Sequence, residues 1–245
     1  MIDALSLAAV GEVGSDFLRD RDDTLCQQTD ALFCFDWAAD NIDRYWTPLR
    51  EQLELVLIAV AIGFLIAFAL ALLAHRWRWM RAPFLLGTGV LYTIPSIAFF
   101  FLLLPFTGRG RDTAIIALSV YTLQIIYRNT IIGLDNVPSS AREAARGIGM
   151  TKRQMLWKVE IPLARPEIFA GILIATVSTV ALATLATFAG GGGLGEPIFG
   201  SEFGIDFKTN IIIAGGMAVL MAIAFGLLLL WVQRLVTPWR RAEKA

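Results

Sequence analysis

The sequence predicts an all-α membrane protein of about five transmembrane helices with a structured, charged loop on one side. Three observations lead there. The chain has 245 residues, of which 56% are hydrophobic, and its mean hydropathy of +0.63 lies far above that of an ordinary soluble domain. Five runs, at 53–74, 84–106, 113–134, 166–189 and 210–236, reach the roughly 20 apolar residues that a helix needs to cross a bilayer. None of them alternates with a period of two, so a helical bundle is favoured over a β-barrel, the other fold that satisfies its backbone in lipid. The third observation is the stretch 135–165, DNVPSSAREAARGIGMTKRQMLWKVEIPLAR, which is polar and carries helix caps although membrane spans flank it.

The elements follow in order. Residues 1–50 form an acidic segment, and 51–245 hold the spans and the loop. No cleavable signal peptide is expected, because residues 1–10 lack a basic stretch and Asp3 and Ser6 break their apolar run. Residues 1–30 are polar and acidic and are expected to be poorly ordered or loosely docked. From 33 to 54, Trp37, Tyr45, Trp46, Leu49 and Leu53 recur at helical spacing beside Asp36, Asp40, Asp43 and Arg44. That pattern predicts an amphipathic helix on the outer leaflet. Its aromatics are expected at headgroup level rather than in a ligand cage. Cys26 and Cys34 fall in this segment, either as a disulfide or as two free thiols.

The loop 75–83, HRWRWMRAP, reads as a basic, aromatic membrane edge. Its His75 has no metal-ligating companion and is expected at the interface. In the second run, Pro95 cannot donate to the helical ladder and predicts a kink beside Tyr92, Thr93 and Ser96. Between the last two runs, Gly190 to Gly195 satisfies the letters GxGxxG, but a dinucleotide site needs a preceding strand. A turn or a re-entrant loop is expected there instead.

Charge sets the topology. The chain's formal net charge is zero, yet placing 75–82, 135–165 and the C-terminus on one side, with Arg128 and Arg234 at the span ends beside them, gathers fourteen of the 21 Lys and Arg residues there. Lys and Arg accumulate in cytoplasmic loops, so that side is cytoplasmic and the N-terminus lies outside.

Within the loop, Ser140-x-x-Glu143 and Thr151-x-x-Gln154 read as two capping boxes, each opening a helix. Gly147 and Gly149 interrupt between them. Pro162 is expected to end the second helix near Glu160, and Pro166 to open the fourth span. The product is helix, glycine elbow, helix. Ala144 and Ala145 would admit another backbone closely, while Met155, Leu156 and Trp157 would anchor a docked partner. A loop without a partner has little need of two caps.

These residues resemble the EAA loop of ABC importer permease subunits. Glu143-Ala144-Ala145, then three residues to Gly149, then nine to Val159-Glu160-Ile161-Pro162, is similar to EAA-x3-G-x9-I-x-L-P, with Val159 for Ile and Ile161 for Leu. Tyr92-Thr93-Ile94-Pro95-Ser96, Tyr127-Arg128-Asn129-Thr130 and Gly192 to Phe199 resemble the branch that imports glycine betaine, carnitine and choline. The likeness covers about 50–236. It implies the type I importer permease fold in the bacterial inner membrane. Glu143, Ala144, Ala145, Gly149, Val159, Ile161 and Pro162 would then couple to a cytoplasmic ABC ATPase subunit. An extracytoplasmic substrate-binding protein and a second permease copy, identical or different, are the other implied partners. No nucleic acid is expected.

No G-x-x-x-x-G-K-[ST] loop is present, so this chain is expected to bind no cofactor, with ATP and magnesium on the partner ATPase. It is not expected to be an enzyme, since no cluster of Cys, His and carboxylates is apparent. Tyr92, Thr93, Pro95, Ser96, Gln124, Thr176, Ser178, Thr179 and Thr184 are candidates to line a translocation path, or to serve as hydrogen-bonding glue between helices. No Asp or Glu lies deep in a span, which weighs against the alternative of a proton-coupled secondary transporter, or a channel, regulated through the loop.

Overall fold

A computed structural model describes residues 32–200 and 208–237, and all its described regular elements are helical. A short helix α1 (Phe35–Asp40) and a 3-10 turn (Ile42–Tyr45) lead into the long helix α2 (Trp46–Arg76). A basic turn (Arg78–Met80) joins α2 to α3 (Arg81–Thr93), which is followed by α4 (Ser96–Thr107) and α5 (Arg111–Asp135). The loop holds α6 (Ser139–Gly147) and α7 (Lys152–Met155), and a π-helical turn (Leu156–Glu160) carries the chain into α8 (Ile161–Ala183). A 3-10 turn (Thr184–Ala189), α9 (Gly195–Phe199) and α10 (Lys208–Val236) complete the described chain. Among the described residues, four continuous helical stretches are long and apolar enough to cross a membrane, and the bent pair α3 and α4 is either a fifth, broken span or a re-entrant loop.

The centre of the bundle is α5, which packs mainly on α2 and α8. Its neighbour α2 buries Leu55, Ala59, Gly63, Ala67, Ala71 and Ala74. A spacing of three or four puts them on one face, and their small size lets the backbones close up, as lipid-embedded helices require in the absence of a hydrophobic drive. A Cβ at Gly63 would overlap Thr122 Oγ1, one at Gly133 would lie 3.0 Å from the Ala164 carbonyl, and one at Gly171 would lie 2.7 Å from Asn129 Cβ. Glycine marks the tight crossings on both sides of α5. The hydroxyls of Ser119 and Thr122 donate to carbonyls of their own helix, at 2.7 Å each, so these two groups are met inside the bundle.

Four expectations change. Pro95 does more than kink its span: α3 and α4 meet at 99°. Ile94 and Pro95 are extended, and the freed Ile94 carbonyl accepts from Tyr121 of α5 at 2.6 Å. A break is stable in lipid only when such a partner exists. At the N-terminus there is no separate interfacial helix over 33–54, because α2 starts at Trp46 and runs unbroken through the first span. Trp37 and Tyr45 are buried in the protein rather than offered to headgroups, while Trp46 is exposed. Pro162 does not end a helix. It sits in the first turn of α8, where its missing N–H is not needed, and the π turn before it joins α7 to α8 in one continuous stretch. Last, α6 begins at Ser139 with Pro138 as its cap and no side-chain cap bond, so Ser140 and Glu143 do not form the expected box.

Cys34 is disulfide-bonded, and Cys26, the chain's other cysteine, lies outside the described residues. The polar, acidic stretch 1–30 also lies outside them.

Candidate functional site

The loop 135–165 folds as a helical elbow on one end of the bundle. Its turn is a Schellman motif: Met150 N–H donates to the Ala145 carbonyl at 3.0 Å and Gly149 N–H to Arg146 at 2.9 Å. Gly149 has φ +79°, which an L side chain adopts only under strain. The second capping box forms as expected. Thr151 N–H donates to Gln154 Oε1 at 2.9 Å, and Gln154 N–H donates to Thr151 Oγ1 at 3.3 Å.

The predicted contact residues divide by exposure. Glu143 and Ala144 face outward, whereas Ala145 is the one residue that α6 buries. Gly149 is exposed, and Val159, Ile161 and Pro162 are half-buried. Of the expected anchors, Met155 is buried and Leu156 packs against Leu134, Val137, Ala164 and Ile168, so both face the bundle. The exposed apolar groups are Trp157 and Ile148, at 52% and 74%. Ile148 was missed because it stands inside the glycine elbow, where no helical period marks it.

Beneath the elbow lies a charged cluster that sequence spacing could not reveal. Glu160 is 3% exposed. Its Oε1 accepts from Arg142 Nε at 2.8 Å, and its Oε2 pairs with His75 Nε2 at 3.0 Å. His75 is thus held by the loop, not by the interface. Nearby, Arg81 at the start of α3 pairs with Asp135 at the end of α5 through two bonds of 2.9 Å.

The candidate path residues fall into two groups. Tyr92, Thr93 and Pro95 are exposed at the break between α3 and α4, and Ser96 is half-buried there. Gln124 of α5 is hydrogen-bonded to Thr88 and lines a groove of about 720 Å³ with Arg81, Tyr127 and Arg128. In contrast, Thr176 and Thr179 are buried, with hydroxyls donating to Ile172 and Ala175 at 2.7 Å. Thr184 likewise donates to Ala181 at 2.8 Å, and Ser178 is half-buried. Thr176 and Thr179 lie inside the packing of this chain, and their hydroxyls bond within their own helix rather than across helices.

The opposite end is closed by the glycine run. Gly190, Gly192 and Gly193 all have positive φ. Gly193 N–H donates to Glu51 Oε2 at 3.0 Å and Leu194 N–H to Gln52 Oε1 at 3.2 Å, while Gln52 Nε2 donates to the Val180 carbonyl at 2.8 Å. A Cβ at Gly192 would overlap the Glu51 carboxylate. The glycines are needed for close approach to α2, not for a cofactor. Burial, and secondarily the charge of Glu51, push the Glu196 carboxyl above its usual range.

A bundle of four to five spans with one sharply bent helix pair and an exposed helical elbow has the make-up of a transport subunit of the importer type. Residues 57–242 match the family described as binding-protein-dependent transport system inner membrane component. The osmoprotectant import permease protein OsmW of Salmonella typhimurium strain LT2 is 40% identical over 205 residues, 81% of this chain and 94% of the relative. The choline transport system permease protein OpuBB of Bacillus subtilis strain 168 is 36% identical over 190 residues, 77% of this chain and 86% of the relative. Among solved structures, an inward-facing MetNI methionine ABC transporter chain superposes with a TM-score of 0.70 at 23% identity, over 79% of this chain and 96% of that one. The chain belongs to the family of binding-protein-dependent transport system inner membrane components. It is a permease subunit and not an enzyme, and the rival reading of a secondary transporter or channel is set aside.

Proposed function

We propose that this permease carries a quaternary-ammonium osmoprotectant inward, driven by a cytoplasmic ATPase that grips the elbow. The observation that carries the drive is the elbow itself, helical turns on either side of a Schellman motif with Glu143, Ala144, Ile148 and Trp157 turned outward. Isolated short helices are marginal in water, and exposed apolar groups beside small residues suit a docked partner. Gly149 would supply the turn, and Val159, Ile161 and Pro162 would pass the push into α8. ATP and magnesium would sit on the ATPase, with none on this chain.

The substrate class is supported by the relatives, whose names specify osmoprotectant, choline, carnitine or glycine betaine transport. A binding protein outside would deliver the solute, and a second permease copy would complete the pathway. Tyr92, Thr93, Pro95, Ser96 and Gln124 would line it, since the span breaks there and offers exposed polar groups. The bias of Lys and Arg supports an inner elbow, an outer N-terminus and an inner C-terminus.

The test is ATP-dependent uptake of radiolabelled glycine betaine, choline and carnitine by vesicles holding the co-purified complex. Saturable uptake of at least one, lost with Gly149→Leu together with ATPase co-purification, is the expected result. Uptake by the permease alone, or an ATPase that stays bound and drives transport through the Gly149→Leu elbow, overturns the reading.

A further inference from the structure

Glu160 has no role in the coupling surface as read so far, yet it is the best-placed charge in the elbow. Helix α6 buries a single residue, Ala145, so apolar packing holds it only weakly to the bundle. Arg142 supplies directed bonds instead. Its Nε donates to Glu160 Oε1 at 2.8 Å, and its Nη2 donates to the Leu134 carbonyl of α5 at 2.5 Å. The second oxygen of Glu160 takes His75 Nε2, in the last turn of α2, at 3.0 Å. One carboxylate thereby joins the elbow to the inner ends of α2, α5 and α8. Charge-assisted bonds fix direction and distance as apolar contacts do not. A carboxylate at 3% exposure also bears a large desolvation cost unless its partners stay in place, so the cluster resists being pulled apart.

The elbow itself offers slack. Open space surrounds the Cβ positions of Gly147 and Gly149. A push on α6 would be absorbed there unless something ties α6 to the spans.

We propose that Glu160 is a positioning residue for transport, a clamp that makes α6 and the inner end of α2 move together when the elbow is driven. This rests on the docking reading above and adds to it a route: force enters α2 through His75 as well as α8 through the continuous helix.

The test uses the complete complex of permease, ATPase and binding protein in proteoliposomes. The probe is whichever of glycine betaine, choline and carnitine the wild type takes up best. Glu160→Gln and His75→Leu should co-purify the ATPase in full and hydrolyse ATP within about twofold of wild type, while uptake falls about tenfold, the effect of one lost charge-assisted contact. His75→Gln, whose amide nitrogen can stand where Nε2 stands, should keep most of the uptake. If Glu160→Gln does not accumulate in the membrane, the two His75 variants carry the comparison. Normal uptake by Glu160→Gln, an equal fall in hydrolysis and uptake, or His75→Gln as damaged as His75→Leu overturns the clamp. Loss of ATPase co-purification from Glu160→Gln also overturns it, by placing Glu160 in the docking surface. Failure of the docking reading itself shows separately, as Gly149→Leu that keeps the clamp, the bound ATPase and transport.

Discussion

The two ends of the bundle are fastened by different chemistry. At the glycine end, backbone meets side chain at close range: Gly193 and Leu194 N–H groups on Glu51 and Gln52, with glycine where any Cβ would collide. At the elbow end, side chains from separate helices meet through charge: Arg142, Glu160 and His75, with Arg81 and Asp135 beside them. The first arrangement tolerates little displacement, since its fit depends on missing atoms. The second can be loaded, because long side chains keep their bonds while the helices behind them shift. Under the proposed drive, the elbow end would be the end that moves and the glycine end the end that holds.

Substitutions should separate the two. The largest effect is expected from Gly195→Ala, whose Cβ would overlap the Thr184 carbonyl. The backbone must move, at a cost of about 3 kcal/mol. The folded yield by size-exclusion in mild detergent should drop sharply, and wild-type yield would show the glycine end to be looser than described. Next comes Gln52→Leu. It strips partners from a buried N–H and a carbonyl, for a loss of about 2 kcal/mol. The thermal midpoint should fall by about 4–8 °C, with the ratio of uptake to ATP hydrolysis unchanged; a changed ratio would break the division between ends. The smallest effect belongs to Asp135→Ala. Its carboxylate is 44% exposed, so the ion pair with Arg81 is worth under about 1 kcal/mol. The midpoint should hardly move.

What the sequence made legible was what local physics decides. Span lengths follow from apolar runs, the second capping box from Thr151 and Gln154, and the elbow from Gly149. What escaped was decided by contacts distant in sequence. Pro95 announces a disturbance, but whether it becomes a bend or a 99° break depends on Tyr121 reaching the Ile94 carbonyl from another helix. Pro162 looked like a stop because a π turn leaves no local sequence mark. His75 and Glu160, 85 positions apart, carry nothing that pairs them. The threonines of α8 read as path or glue because a hydroxyl in an apolar run has several uses, and only packing shows that Thr176 and Thr179 turn back on their own helix.

The seam between α2 and α5 has a mechanical consequence. Ala59, Ala67, Ala71 and Ala74 present almost no relief along α2, so little interlocking opposes a small rotation about an axis across the pair. Between Ala59 and Ala74 one tooth interrupts that smoothness, Thr122 seated in the notch left by Gly63. Sliding lengthwise would lift the tooth out, whereas rocking about it leaves it engaged. The first span is thus hung on a fulcrum about midway along its length, with one arm reaching the ion cluster and the other the glycine clasp.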